Sequence, residues 1–216
     1  MIQPRIQLRS GVYRVAVDTS NGSLHTQIMT LADKMTASRL VLSPIFFVIY
    51  LFFGAFWTVP VLWILFIVSE ITDMLDGMIA RKQGEVSDTG KLFDPFADTL
   101  TQVTYFLCFV IDGILTPFFF LLVLYREFSI SFVRNLMLKK GVTMGARMSG
   151  KVKTVSYITA GALALLAASI ARLGFDYEIY RWALIAARAV FIFSVAVAVF
   201  SFIDYLAVFF KTSEGK

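Results

Sequence analysis

The sequence predicts an all-α integral membrane protein: six transmembrane helices preceded by an N-terminal amphipathic juxtamembrane helix. Three observations lead there. Of the 216 residues, 58% are hydrophobic and only 16% are charged, whereas a soluble domain is about 45–50% apolar and about 25% charged; the mean hydropathy is +0.75. The apolar residues gather into long stretches, and at about 20 residues per crossing the chain has room for about six spans beside a polar N-terminal segment. Lipid offers a bare backbone no hydrogen bonds, so each spanning segment must satisfy its own amides as a helix. A single cysteine, Cys108, excludes a disulfide framework and a cysteine zinc site, leaving packing to hold the fold.

The N-terminal segment is polar and mixed, with Arg5, Arg9 and Arg14, and lacks the continuous apolar core of a cleaved signal peptide. Over residues 23–39 Leu24, Ile28, Leu31 and Met35 recur at spacings of four, three and four, which suits a short amphipathic helix on the membrane surface. A disordered tail up to about residue 23 is the alternative for the start of the chain. Six apolar stretches follow, over residues 39–57, 61–81, 92–112, 115–138, 152–173 and 181–210. The breaks between them carry suitable punctuation: Pro60, the polar run 82–91, Asp112-Gly113, the basic run 139–151, and 174–180. The expected organisation is an N-terminal segment over 1–35, one six-helix domain over 36–211 and a short tail over 212–216. No internal repeat is visible.

Orientation follows from the basic residues, because Lys and Arg in short loops favour the cytoplasm. With the N-terminus inside, only Arg172, Arg181 and Arg188 of the 20 Lys and Arg fall near the outer face. Both termini then lie on the cytoplasmic side of the cell membrane, as an even number of spans requires.

The acidic residues are clustered. Asp73 and Asp76 stand three apart at the end of the second stretch, and Asp94 and Asp98 four apart at the start of the third, so each pair shares a helix face. An ionised carboxylate inside a membrane is costly without compensation. Four converging carboxylates make an all-oxygen nest for hard divalent cations, Mg²⁺ or Mn²⁺, with charge enough for two. Gly77 and Ala80 lay a small-residue surface beside them, and Arg81 is placed to meet a phosphate oxygen. The whole reads Asp73-x-x-Asp76-Gly77-x-x-Ala80-Arg81, eight residues, then Gly90-x-x-x-Asp94-x-x-x-Asp98. With eight fixed positions an accidental match is on the order of one in a billion per start.

This pattern resembles the signature of the CDP-alcohol phosphotransferase family, without departure from Asp73 to Asp98. The resemblance implies a six-helix membrane enzyme, a homodimer, that moves a phosphate-containing group from a CDP-linked donor to an alcohol and releases CMP. It implies that Asp73, Asp76 and Asp94 bind the metals, that Asp98 contacts the second metal and accepts the proton, and that Gly77, Arg81 and Ser87 contact the CDP part of the donor. The chemistry needs such groups. Two cations would neutralise the charge developing on a departing phosphate, and an alcohol nucleophile needs a carboxylate within reach of its proton.

The acceptor must be read elsewhere. Arg126 and Arg134 stand eight apart in the fourth stretch, and the fifth opens with Gly150-Lys151-Val-Lys153-Thr154. Basic residues near a diphosphate site suggest an acceptor carrying its own phosphate, with Arg126, Arg134 and Lys151 as the candidates that grip it. Lys139, Lys140, Arg147, Lys151 and Lys153 also suit anchoring beside anionic lipid. Arg126, deep in an apolar run, does not. Arg-Glu-x-x-x-Ser-x-x-Arg followed by Gly-Lys-x-Lys-Thr is similar to the phosphatidylglycerophosphate synthase branch of the family, as is Thr36-x-x-Arg39-x-x-x-x-Pro44. The similarity spans about residues 33–160 and departs at Asp33, usually asparagine there, and at Tyr157, usually glutamine. It implies CDP-diacylglycerol as donor, with Thr36, Arg39, Gly77, Ala80, Arg81, Ser87 and Gly90 around it, and sn-glycerol 3-phosphate as acceptor.

Two alternatives stay open. One is inositol 1-phosphate or serine as the acceptor; the other is a cation transporter using intramembrane aspartates. A transporter predicts an inverted repeat and acids near the bilayer middle; here no repeat is visible and the acids hug one side. Glu70, one turn before Asp73, would orient a metal ligand or pack against the third span. Asp112 and Asp204 read as helix-end residues. His25, the sole histidine, has no expected catalytic part. Trp57, Trp63 and Trp182 suit interface belts, and the 22 Phe suit lipid-facing bulk. Gly161, Ala164 and Ala168 form a small-residue stripe for a dimer contact or for packing within one chain. Membrane lipids are expected partners; nucleic acid is not.

Overall fold

The computed structural model describes residues 31–83, 90–139 and 148–214, with side chains described over 36–75, 95–137 and 150–207 and at Phe209. Six helices follow in chain order: α1 (Leu31–Phe52), α2 (Thr58–Gln83), α3 (Gly90–Ile111), α4 (Pro117–Lys139), α5 (Met148–Arg172) and α6 (Tyr177–Glu214). No strand occurs among the described residues. Each expected apolar stretch corresponds to one helix.

Three segments are long and apolar enough to cross a membrane: Thr58–Leu75, Gly150–Arg172 and Tyr177–Ala207. Over the described side chains, α1 and α3 contain the apolar segments Thr36–Phe52 and Pro95–Ile111, and α4 carries Arg126, Glu127 and Arg134 inside its run. Those three charged residues all line one pocket described below. The surface helix expected over 23–39 lies partly outside the described residues. Its described part is no separate element: from Leu31 it is continuous with the first apolar stretch as α1. Between Leu31 and Pro44 there is no Pro or Gly to stop it.

The helix ends are written locally. Gly113 at φ 69° closes α3 and Gly174 at φ 70° closes α5. In each case the glycine N–H and the next one donate back into the last turn: Gly113 to the Val110 carbonyl and Ile114 to that of Phe109, Gly174 to Ala171 and Phe175 to Ile170. A left-handed residue is needed to turn the backbone into these bonds, and glycine takes that conformation without a Cβ clash. Pro117 opens α4, where its missing N–H is no loss. Asp176 caps α6 by accepting the Glu178 N–H at 3.0 Å.

α3 packs against α1, α4 and α5, α1 runs along both α2 and α3, and α5 pairs with α6. An aromatic chain joins them. Tyr105 of α3 sits 4.5 Å from Phe46 of α1 and 5.2 Å from Phe66 of α2, ring centre to ring centre. Phe106 meets Tyr157 of α5 at 5.4 Å and Phe191 of α6 at 4.9 Å. The phenylalanines therefore divide: Phe46, Phe66, Phe106, Phe109 and Phe191 form the core, while Phe52, Phe118, Phe132 and Phe200 are exposed. Sequence cannot separate the two groups, because lipid and core are equally apolar. Trp57 and Trp182 are exposed, but Trp63 turns inward and donates to Ser169 Oγ at 3.0 Å. The small residues of α5 serve packing within the chain: Ala160, Ala164 and Ala167 are fully buried, and a Cβ on Gly161 would stand 3.2 Å from the Phe66 ring.

At one end, away from the aspartates, two arginines tie the bundle. Arg172 of α5 donates to the Phe53 carbonyl and to Thr58 Oγ1 across the α1–α2 turn. Arg188 of α6 donates to the Gly113 and Ile114 carbonyls after α3. Tyr50 donates to Asp112 at 2.7 Å, giving that helix-end acid a partner.

Candidate active site

Because α1 lies along both α2 and α3, it can place a side chain between their polar ends. That side chain is Arg39, which is 2% exposed. Its Nη1 donates both to Asp73 Oδ1 of α2 and to Asp98 Oδ1 of α3. The two carboxylates thus converge, as their spacing implied, with the Arg39 guanidinium between them. They remain reachable, with 35% and 50% of their side-chain surfaces exposed.

Asp76, Gly77, Ala80 and Arg81 lie on α2, and Gly90 and Asp94 on α3; their side chains are outside the described set, and Ser87 is outside it altogether. Among the described residues no group of three or more His, Cys, Asp or Glu could hold a metal ion. What is described fits a divalent cation in kind: two carboxylate oxygens from two helices already converge on one cationic nitrogen, and the donors are all oxygen.

A basic cluster stands across from these acids. Arg126 of α4 is buried; it donates from Nε to the Ala198 carbonyl at 3.2 Å and from Nη2 to Ser201 Oγ at 3.3 Å, both on α6. Its Nη1 donates to Glu127 Oε1 at 2.8 Å. The same oxygen accepts from Lys153 Nζ at 3.0 Å, and Lys153 rests over the Tyr157 ring at 4.8 Å. Two cations, Arg126 buried and Lys153 half-buried, share one buried carboxylate, which leaves the cluster one positive charge in excess. Such an excess in a low-dielectric site favours an anion.

One pocket of about 310 Å³ joins the clusters, at the small end of the range for ligand sites. Arg39, Asp73, Asp98, Arg126, Arg134 and Lys151 all line it. Thr36 is buried one turn before Arg39 on α1 and lies outside the lining. Glu70 lines the pocket beside Asp73.

Several lining residues went unread in the sequence. Glu127 was a letter in a motif, Lys153 a membrane anchor, and Tyr205 of α6 had no role, yet all three line the pocket. A buried acid among bases in an apolar run was the available signal for Glu127. For Tyr205 there was none, since only the packing of α6 brings it there.

The fold and pocket define an all-helical protein with membrane-crossing segments, whose acidic and basic clusters share a cavity suited to phosphorylated ligands. A profile described as CDP-alcohol phosphatidyltransferase matches residues 29–200, and the chain belongs to that family. Among its relatives, the CDP-diacylglycerol–glycerol-3-phosphate 3-phosphatidyltransferase of Treponema pallidum (strain Nichols) is 39% identical over 196 residues, covering 84% of this chain and 90% of the relative. The protein of the same name from Bacillus subtilis (strain 168) is 32% identical over 152 residues, 64% of this chain and 78% of the relative. A probable phosphatidylglycerophosphate synthase of Mycobacterium tuberculosis (strain ATCC 25618 / H37Rv) is 31% identical over 163 residues, 73% and 77% of the two chains.

Proposed function

We propose that this chain transfers the phosphatidyl group of CDP-diacylglycerol to the sn-1 hydroxyl of glycerol 3-phosphate, giving phosphatidylglycerol phosphate and CMP. The observation that carries this reading is the single pocket lined by Asp73 and Asp98 on one side and Arg126, Arg134, Lys151 and Lys153 on the other. It offers a place for the reacting diphosphate and a separate one for a second phosphate. The names of the relatives support it.

The acceptor oxygen bonds to the phosphorus bearing diacylglycerol, the bond from that phosphorus to the CMP oxygen breaks, and CMP leaves with the electron pair. Asp98 takes the hydroxyl proton as the new bond forms. Arg126, Arg134 and Lys151 hold the acceptor's phosphate, and Thr36, Arg39, Gly77, Ala80, Arg81, Ser87 and Gly90 surround the donor. Asp73, Asp76, Asp94 and Asp98 would hold two divalent ions, Mg²⁺ or Mn²⁺, which supply countercharge to the leaving phosphate. The acyl chains stay in the membrane.

We further place the chain as a homodimer in the cell membrane, with six crossings, and with the termini and the pocket on the cytoplasmic side. The six-helix domain takes residues 36–211, between the segment 1–35 and the tail 212–216.

The test is CMP release from CDP-diacylglycerol by the purified protein with glycerol 3-phosphate, inositol 1-phosphate or serine as acceptor. Release that depends on glycerol 3-phosphate, stops with EDTA and resumes with Mg²⁺ or Mn²⁺ is expected. Release with inositol 1-phosphate or serine alone overturns the acceptor, and none with any acceptor overturns the enzyme reading.

A further inference from the structure

Helical threonines in this bundle commonly bond to their own backbone. Thr72, Thr99, Thr104, Thr154 and Thr159, none of them fully buried, each donate to the carbonyl four residues earlier, at 2.6 to 3.1 Å, the ordinary resort of a helical threonine. Thr101, which is buried, does not do so. Among the described residues its Oγ1 is buried without a hydrogen-bond partner, as are the hydroxyls of Ser69, Tyr105 and Tyr157. Ser69 and Tyr105 stand beside each other. Thr101, at 5% exposure, and Tyr157, at 1%, line the pocket between the acidic and basic clusters, Tyr157 beside the Glu127 carboxylate. An unpartnered buried hydroxyl is costly, so such hydroxyls on one cavity point to something that occupies it.

Their positions say what that is. Thr101 stands one helical turn beyond Asp98 on α3, and Tyr157 one turn beyond Lys153 on α5. Tyr157 is also fixed against the basic cluster, its ring lying under the Lys153 ammonium at 4.8 Å and edge-on to Phe106. A short acceptor reaching from the basic cluster to Asp98 passes these two hydroxyls with its middle.

We propose that Thr101 and Tyr157 form a subsite for the acceptor's non-reacting hydroxyl, and so select a vicinal diol phosphate over a simple alcohol phosphate. The inference rests on the acceptor reading above. In glycerol 3-phosphate the group concerned is the 2-hydroxyl, which both donates and accepts and can pair with both side chains. An acceptor without it leaves the two protein hydroxyls unpaired in the closed pocket. Sites built to hydrogen-bond a substrate hydroxyl reject the analogue lacking it strongly.

The experiment compares kcat/KM for glycerol 3-phosphate and for propane-1,3-diol monophosphate, which lacks only the 2-hydroxyl, on one preparation at a time. The ratio cancels the active fraction, so partial unfolding of a variant does not move it. The wild type is expected to prefer glycerol 3-phosphate by roughly a hundredfold or more. Thr101→Val and Tyr157→Phe should each bring that preference below about tenfold, while Thr101→Ser, which keeps a hydroxyl, stays near the wild type. A wild-type enzyme that treats the two acceptors alike, or variants that keep the full preference, overturns the subsite and leaves the acceptor reading standing. If the wild type releases CMP only with serine or inositol 1-phosphate, the acceptor reading fails and the subsite falls with it.

Discussion

Lys153 of α5 donates to Oε1 of Glu127 on α4 across 3.0 Å, and through that oxygen it is linked to Arg126. A single carboxylate oxygen therefore holds two cations, one buried and one half-buried, and ties two helices at the pocket wall. Glu127→Ala leaves both cations without their counter-charge, a loss of about 3–5 kcal/mol of stability. Glu127→Gln keeps a carbonyl oxygen as acceptor and should lose less. Thermal unfolding in a single detergent measures both, and an alanine variant as stable as the wild type would show that the pair does not tie α4 to α5.

Arg126→Ala tests the grip on the acceptor. The KM for glycerol 3-phosphate should rise by about ten- to a hundredfold, the worth of a charge-assisted hydrogen bond, with the KM for CDP-diacylglycerol little changed. An effect confined to the donor would place this arginine on the wrong substrate.

Asp98→Asn preserves the shape of the side chain and removes its capacity to take a proton. Turnover should fall by about 10²- to 10⁴-fold, while CDP-diacylglycerol still binds, as read by equilibrium binding of radiolabelled donor. Near-normal CMP release would remove Asp98 from the role of base.

Gly161→Leu tests the packing of α5 on α2. Even a Cβ at this position meets the Phe66 ring at 3.2 Å, and Phe66 is itself hemmed in by Trp63 and Tyr105. The substitution should cost about 1–3 kcal/mol without altering either substrate's KM. A lowered unfolding temperature with unchanged KM values is the expected result.

The helices were legible because each is announced by an apolar run and closed by a local signal such as Gly113 or Gly174. The convergence of Asp73 and Asp98 was legible too, since a fixed spacing puts both on the faces that meet. Arg39 was legible as a site residue, but not as the group on which those acids converge. That depends on α1 lying along two other helices. Glu127, Lys153 and Tyr205 were hidden for a similar reason: Glu127 meets Lys153 across 26 positions, and α4, α5 and α6 must pack before the three line one pocket. Thr101 and Tyr157 look like ordinary core residues until their missing partners are counted. The split of the phenylalanines between lipid and core was out of reach as well, because the bilayer removes the polarity contrast that marks an interior in water.

The two arginine ties, Arg172 to the α1–α2 turn and Arg188 to the end of α3, give the molecule the mechanics of tongs. The joint is at that end and the jaws are at the aspartates. If the helices rotate slightly about that joint, the gap they open widens with distance toward the pocket, the end at which the lipid donor proposed above would enter between helices. Amide hydrogen exchange should record the asymmetry, with residues 108–114 protected longer than residues 95–100 of the same helix, and equal protection along α3 would leave the jaws without a pivot.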